Sequence, residues 1–217
     1  MSRIALVTGA NQGVGYQVAK ALVESGATVY LGSRDRDRGA VAAEELNAIP
    51  IQIDITDAAS IAAAAERIRI EQGRLDLLVN NAGISNTRRA AASKDELADP
   101  NWLAAYARSS KASTASLDEM RAVWDVNVFG TLAVYQAMLP LLREGVDARI
   151  VNVSSGVGSL TTNADPSYAY HSMFGPIYPA SKAAENAVTL AIMIELEGTD
   201  IKVNLCLLYT SPSPRDS

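Results

Sequence analysis

Thr8-Gly9-Ala10-Asn11-Gln12-Gly13-Val14-Gly15 follows the aliphatic run Ile4-Ala5-Leu6-Val7 and opens a segment of helical period that reaches Ser25. A glycine cluster between a strand and a helix is the context that separates a dinucleotide site from a chance match. Gly9, Gly13 and Gly15 let the backbone bend tightly, approach a pyrophosphate closely and present helix N-terminal N–H groups to it. The first two of these glycines are separated by three residues, a wider interval than in G-x-G-x-x-G.

Outward from this turn, short aliphatic and β-branched runs alternate with longer alanine-rich segments. Candidate strands are Ile4–Thr8, Thr28–Gly32, Ile49–Ile53, Leu75–Asn80, Arg149–Val153 and Ile201–Leu205. Candidate helices are Gly13–Ser25, Asp37–Ala48, Asp57–Gln72, a stretch around Leu117–Arg143, and Tyr178–Glu197. In the third of these, Ile61, Ala65 and Ile68 fall at i, i+4 and i+7 and give one apolar stripe. Such alternation predicts a doubly wound α/β fold, with a parallel sheet covered by helices on both faces. With 217 residues and 48% hydrophobic content, one domain with a substantial core is the simplest organisation.

Two stretches break the alternation. One, at 85–116, is polar and carries Arg88-Arg89 with a possible extra helix over Pro100–Tyr106; the other, at 159–176, is rich in turn formers and aromatics. Both follow strands on the carboxyl side of the sheet, where open α/β folds place ligands, so they are candidate substrate walls or else plain solvated insertions. Trp102 and Tyr106, at helical spacing, read as packing residues. The single histidine, His171, reads as a surface residue of the second insertion.

Composition excludes several classes. A net charge of -5 speaks against a nucleic-acid surface, which needs a basic stripe. The apolar stretch from Leu132 to Leu142 is interrupted by Gln136 and Pro140, so no membrane span is expected. One cysteine, Cys206, permits no internal disulfide, and a cytoplasmic protein is expected. No set of Cys, His and carboxylates has ligand spacing, so no metal is expected. A hydrolase triad would need a nucleophile elbow, which is missing.

Tyr178-Pro179-Ala180-Ser181-Lys182 carries the other chemical signal. Residues four apart share a helix face, so the Lys182 ammonium can lie beside the Tyr178 phenol and favour its ionised form. A free phenol has a pKa of about 10, and bringing it near neutrality takes roughly 3–4 kcal/mol of differential stabilisation. A dinucleotide turn and a tunable proton donor in one chain point to hydride chemistry.

The glycine spacing resembles Thr-Gly-x-x-x-Gly-x-Gly of the short-chain dehydrogenase/reductase family. The resemblance continues through Asn80-Asn81-Ala82-Gly83, Val126-Asn127-Val128-Phe129-Gly130, Ser154-Ser155 and Tyr178-x-x-x-Lys182. It covers residues 3 to about 204 and is of the carbonyl-reductase-like kind. Position by position, it implies a catalytic set of Asn127, Ser155, Tyr178 and Lys182. The choice of Ser155 over Ser154 follows the family habit of using the second serine. By the same resemblance, Tyr178 is the acid/base, Lys182 also holds the nicotinamide ribose, Ser155 binds the substrate oxygen, and Asn127 anchors a proton-relay water. Taken singly, each has an ordinary reading: a surface pair, a cap, a kink residue.

Cofactor choice is read after the second strand. A carboxylate there suits the ribose 2′-hydroxyl of NAD(H), and a guanidinium suits a 2′-phosphate. Ser33 stands at the usual acid position and Arg34 follows it, with Arg38 as a second contact, so NADP(H) is the expected cofactor. NAD(H), with Asp35 as the acid one position late, is the alternative. Asp54 and Ile55 with Asn81, Ala82 and Gly83 are expected to line the adenosine side, and Asn11, Gln12 and Val14 to complete the phosphate loop.

The resemblance stops at Asn204. Family members continue into a Pro-Gly turn, a substrate-loop helix and a seventh strand, whereas residues 205–217 run Leu-Cys-Leu-Leu-Tyr-Thr-Ser-Pro-Ser-Pro-Arg-Asp-Ser. They resemble the translated read-through of a sequencing-library adapter; a genuine short tail is the alternative. The expectation is thus one catalytic domain over 1–204 with six strands, acting on a small-molecule ketone, aldehyde or alcohol, and a homo-oligomer in a longer parent. The rivals are a non-catalytic dinucleotide-binding or regulatory protein, an inactive fragment, and a nucleotide-sugar epimerase or dehydratase.

Overall fold

In the computed structural model, residues 2–87, 111–169 and 171–208 are described. Arg88-Arg89, the helix expected over Pro100–Tyr106 and the last nine residues of the tail lie outside them.

Six strands form one parallel sheet: β1 (Ile4–Val7), β2 (Thr28–Ser33), β3 (Ile49–Gln52), β4 (Leu77–Asn80), β5 (Arg149–Ser155) and β6 (Lys202–Leu208), in the order β3-β2-β1-β4-β5-β6. The order reverses direction at β1, which is the switch point of a doubly wound Rossmann sheet. Side chains alternate across it. Leu6, Tyr30, Ile51, Leu78 and Ile150 face one layer, with Ile61, Ile68, Val134, Met138 and Ile192 from the helices. Ala5, Val7, Val29, Leu31 and Val79 face the other, with Ala19, Ala42 and Ala43.

The first layer belongs to α3 (Ala58–Gln72), α5 (Thr131–Arg143) and α7 (Tyr178–Glu195), the second to α1 (Gly13–Glu24) and α2 (Arg36–Leu46). On α3 the buried stripe is Ile61, Ala64 and Ile68, with Ala65 at its margin. Helix starts are marked by caps where the sequence supplies them. Asp35 accepts Asp37 and Arg38 N–H at the head of α2, Asp57 accepts Ala59 N–H on α3, and Ser116 accepts Glu119 N–H on α4 (Leu117–Trp124). Such caps each contribute about 1 kcal/mol.

The stretch expected as one helix around Leu117–Arg143 is interrupted. Between α4 and α5 the residues Asp125–Gly130 form a π-turn, a wide turn with an i→i+5 bond that local composition does not announce. The whole stretch is long and apolar enough to cross a membrane by length and composition, but 56% of its apolar window is buried in the fold, as in a core helix.

β6 runs three residues beyond the candidate strand, through 206–208. Leu205 and Cys206 pair with Asn152 and Val153, and the next two positions with Ser154 and Ser155. Half-buried Leu205 and Leu207 continue the alternation of Val203, so the period-2 pattern extends past Asn204. The insertion at 159–176 contains α6 (Leu160–Ala164) and a 3₁₀ turn at His171–Met173. His171 is exposed, and its Nδ1 lies 2.7 Å from the Asn163 carbonyl.

Candidate active site

The glycine turn and the end of β4 are locked together by the side chains of Thr8 and Asn81. Thr8 Oγ1 accepts the N–H groups of Asn81 (3.0 Å) and Ala82 (3.1 Å), while Asn81 Nδ2 donates to the carbonyls of Thr8 (3.0 Å) and Gly9 (3.1 Å). Gly9 has φ +62°, and a Cβ there would lie 2.9 Å from Ala82 Cα. A Cβ on Gly15 would meet the Gly9 carbonyl oxygen at 2.7 Å. Glycine is thus required by backbone shape at Gly9 and by close packing at Gly15.

α1 begins without a side-chain cap, at Gln12, and has no acidic residue in its first turn. Its orphan N–H groups and positive dipole end are therefore open to an anion. They face a cavity of about 670 Å³ lined by Gly9, Asn11, Gln12, Gly13, Val14, Arg34, Asp54, Ile55, Asn81, Ala82 and Gly83, with Ile53, Thr56, Ile84, Thr87, Ala122, Asp125 and Val126. A pyrophosphate and nucleoside fit this donor set: bare backbone N–H groups, small residues and one guanidinium. Of the residues expected to hold a dinucleotide, Gly15 lies behind this wall. Arg38 lines a neighbouring groove with Asn11, Gln12 and Tyr16, where it is mostly exposed and 3.3 Å from Asp35.

At the end of β2 the side chains divide. Ser33 is buried and donates to the Asp35 carbonyl (2.8 Å). Asp35 is engaged as the cap of α2 and by Arg38, and it borders a different cavity, beside β3. Arg34 is exposed on the dinucleotide-sized cavity, and its guanidinium has no partner among the described residues. Asp54 accepts the N–H and hydroxyl of Thr56 (2.9 and 2.7 Å), which fixes its carboxylate at the rim.

The four expected catalytic residues gather past Gly83. A Cβ on Gly83 would lie 3.2 Å from Asn127 Oδ1 and 3.6 Å from Lys182 Nζ. Gly83 therefore joins the cavity floor to this group. Asn127, on the π-turn, is buried. Its Oδ1 accepts Ile84 N–H (2.9 Å), and its Nδ2 donates to Ile84 O (2.8 Å) and Ser181 Oγ (3.0 Å). The amide thus clamps the loop after β4 to α7. Ser155 ends β5 and its hydroxyl favours the ionised form of the Tyr178 phenol, whereas Ser154 is buried and donates to Asn186 Oδ1 (2.6 Å). Trp124 Nε1 donates to Pro176 O (3.2 Å), which holds the approach to Tyr178.

Lys182 has partners besides Tyr178. Its Nζ lies 6.0 Å from the Tyr178 ring centroid and donates to Glu185 Oε2 (2.6 Å) and Val153 O (3.0 Å). Burial pushes the Tyr178 phenol above its ordinary value, the Ser155 hydroxyl pulls it back, and the Glu185 carboxylate pushes it further up. The ammonium expected to act on Tyr178 is also matched by a buried carboxylate. Spacing shows which groups can meet, but not which third group competes. A signal for Glu185 was present, since a charge three residues after Lys182 on an alanine-rich helix stands on the same inward stripe.

The geometry can be set beside known proteins. The short chain dehydrogenase profile matches residues 3–211. Short-chain dehydrogenase anuI of Penicillium roqueforti is 33% identical over 213 residues, covering 93% of this chain and 76% of that protein. (-)-Isopiperitenone reductase of Mentha piperita is 36% identical over 184 residues, covering 74% of this chain and 59% of its own length. The chain thus spans less than two thirds of that plant relative. Among solved structures, the RhlG/NADP active-site complex of Pseudomonas aeruginosa superposes with a TM-score of 0.74 at 29% identity, covering 98% of this chain and 74% of that one. Salutaridine reductase of Papaver somniferum gives 0.71 at 27% identity, covering 94% and 85%.

Proposed function

The chain belongs to the short-chain dehydrogenase family, and from that premise we propose that it is an NADP(H)-dependent oxidoreductase interconverting a small ketone or aldehyde and its alcohol, with Tyr178 as acid/base. The observation that carries this reading is a continuous floor. The uncapped start of α1 opens on a dinucleotide-sized cavity, and its far wall, Gly83, borders Asn127 and Lys182. A bound nicotinamide supplies or accepts the hydride.

The chain's own groups do the rest. The α1 N-terminus binds phosphate, Arg34 reads a ribose 2′-phosphate, and Asp54 marks the adenine side. The Tyr178 O–H gives its proton to the carbonyl oxygen as negative charge develops there, and takes it back in the reverse direction. Ser155 hydrogen-bonds the same oxygen, and so stabilises that charge. Asn127 keeps the loop after β4 in register with α7, and Lys182 presents its ammonium at the joint between the two regions. A cytoplasmic setting accords with the single exposed Cys206.

The test is reduction of a panel of activated ketones and aldehydes with NADPH and with NADH. NADPH-dependent turnover that vanishes in Tyr178→Phe supports the reading. Tight NADPH binding without turnover on any substrate would instead favour a non-catalytic dinucleotide-binding protein.

A further inference from the structure

A second cavity lies over the edge of β3 that is turned away from β2. It holds about 630 Å³, within the range of small-molecule sites, and it shares no lining residue with the dinucleotide-sized cavity. The loop from β2 to α2 divides the two: Arg34 faces the first, while Ser33, Asp35 and Arg36 line the second. The walls are small residues, Gly39 and Ala40 of α2 on one side, Ser60 and Ala63 of α3 on the other. The space between them is a slot.

Its floor is a strand edge closed to further strands. Ile53 N–H bonds the Ser33 carbonyl on β2 (2.9 Å), so by alternation Pro50, Gln52 and Asp54 turn their backbone groups outward. Pro50 has no N–H, and its carbonyl accepts Arg67 Nη1 (2.7 Å); Asp54 N–H donates to Ser60 Oγ (2.9 Å). A proline and occupied backbone groups block the pairing of an added strand. What stays open on the floor is the single peptide N–H and carbonyl of Gln52, enough for a small molecule and too little for a strand.

Two guanidiniums line the slot. Arg36 is exposed and has no partner among the described residues. Arg67 gives Nε to Glu71 Oε1 (2.8 Å) and Nη1 to Pro50, which fixes its plane and leaves Nη2 without a partner among the described residues. The acids around them are engaged elsewhere. Asp35 accepts two N–H groups of α2 and is 3.3 Å from Arg38, Asp57 accepts Ala59 N–H, and Glu71 also accepts the Tyr30 hydroxyl (2.7 Å).

We propose that this slot binds a small organic phosphate, a phosphomonoester whose dianionic head is shared by Arg36 and Arg67 while its body lies between the small residues of α2 and α3, over the Gln52 peptide. Guanidinium suits such a head because its planar fork meets two phosphate oxygens at once. The site is separate from the one proposed above and needs neither hydride transfer nor a bound dinucleotide. It is not remote from it, since Gln52 Nε2 donates to the Arg34 carbonyl (3.3 Å). A ligand in the slot therefore touches the loop that presents Arg34 without entering the first cavity.

The experiment is a titration of the isotope-labelled full chain with phenyl phosphate, with and without NADPH and at constant ionic strength, read from backbone amide shifts in NMR spectra. Saturable shifts are expected at Gln52 and Gly39, and NADPH should not displace them. Arg36→Ala should weaken binding about tenfold, as expected for a hydrogen bond to a charged group, and Ala63→Leu, which fills the slot and keeps its charges, should abolish it. Both positions are exposed, and either variant decides if the other does not fold. Inorganic phosphate should bind more weakly than phenyl phosphate; equal affinity would overturn the organic ligand. Shifts confined to Gly13–Gly15 and displaced by NADPH would place the phosphate in the first cavity and overturn the inference. So would a lack of saturable shifts, or binding like the parent's in a folded variant. Failure of the Proposed function looks different, since turnover would be missing while the Gln52 and Gly39 shifts remained.

Discussion

At the amino ends of the strands, charge is matched contact by contact; at the carboxyl ends, donors are left open. Just before β4, Asp76 is buried and accepts the N–H groups of Ile4 (2.8 Å) and Val146 (2.8 Å) and Arg74 Nε (3.0 Å). Asp147, before β5, gathers Arg3 (3.2 Å), Arg149 (2.8 Å) and Lys202 (2.8 Å). At the other end α1 has no side-chain cap and Arg34 faces a cavity. The same sheet separates the two tasks. One end ties the strands together, and the other keeps binding capacity in reserve for a ligand. Lys182 and Glu185 are an instance of the first habit placed at the second end.

Substitutions can break this division. The largest effect should come from Tyr178→Phe: turnover is expected to fall about 10²–10⁴-fold, the usual contribution of a general acid, while NADPH affinity by fluorescence and the denaturation midpoint stay put. A parallel loss of affinity would mean that the phenol serves binding and not proton transfer. Next is Asp76→Ala, which removes the carboxylate that Arg74 pairs with and the acceptor of two backbone N–H groups. Urea unfolding should show a loss of about 3 kcal/mol, in the range for breaking a buried pair, with NADPH affinity of the folded protein unchanged. Coupled losses of stability and binding would show that the two ends are not independent.

Arg34→Ala is expected to weaken NADPH by about 1.5–3 kcal/mol, the range for a hydrogen bond to a charged group, and to leave NADH nearly unaffected. Equal loss for both cofactors would remove Arg34 as the reader of a 2′-phosphate. The smallest effect concerns acid. Hydrogen bonds from Lys202 and Arg149 hold the Asp147 carboxyl down at about 2, from an ordinary 3.8. A depressed carboxyl stabilises the fold above its unfolded value and ceases to do so as pH falls through the folded one. The thermal midpoint should therefore decline between pH 3.8 and about 2, and Asp147→Asn should flatten that limb. An unchanged limb would place acid sensitivity elsewhere, Asp76 first, since its carboxyl is also held low, burial opposing and backbone N–H groups outweighing it.

The sheet was legible because its strands are short aliphatic runs closed by Gly, Asn or Ser, and the glycine turn because its neighbours on either side were unambiguous. Strand ends were less so. β4 begins at Leu77 and not at Leu75, since Leu75 N–H bonds the Leu141 carbonyl outside the ladder. The grouping of Asn127, Ser155, Tyr178 and Lys182 came from resemblance, and their proximity from the fold. The second partner of Lys182 was not legible, because the i, i+4 pair was considered without Glu185, whose influence is a matter of burial and of a 2.6 Å contact. Arg38 and Asp35 could not be sorted from Arg34 by sequence either. The cap bond engages Asp35 and leaves Arg34 facing the cavity, and that depends on where α2 begins.

The π-turn at Asp125–Gly130 carries a consequence for how this chain tolerates change in length. Each residue added to or removed from a helix rotates everything beyond it by about 100°. A wide turn stores one surplus residue at a single place, so α4 and α5 meet out of phase by that rotation, and Asn127 sits at the mismatch. Removing one residue here could yield a more regular helix, yet it would spin α4 about its axis, drawing Glu119 from Thr87 and Trp124 from Pro176. The irregular turn works as a gear between two faces: one half of the helix meshes with the core, the other with the approach to Tyr178, and a single-residue deletion strips both.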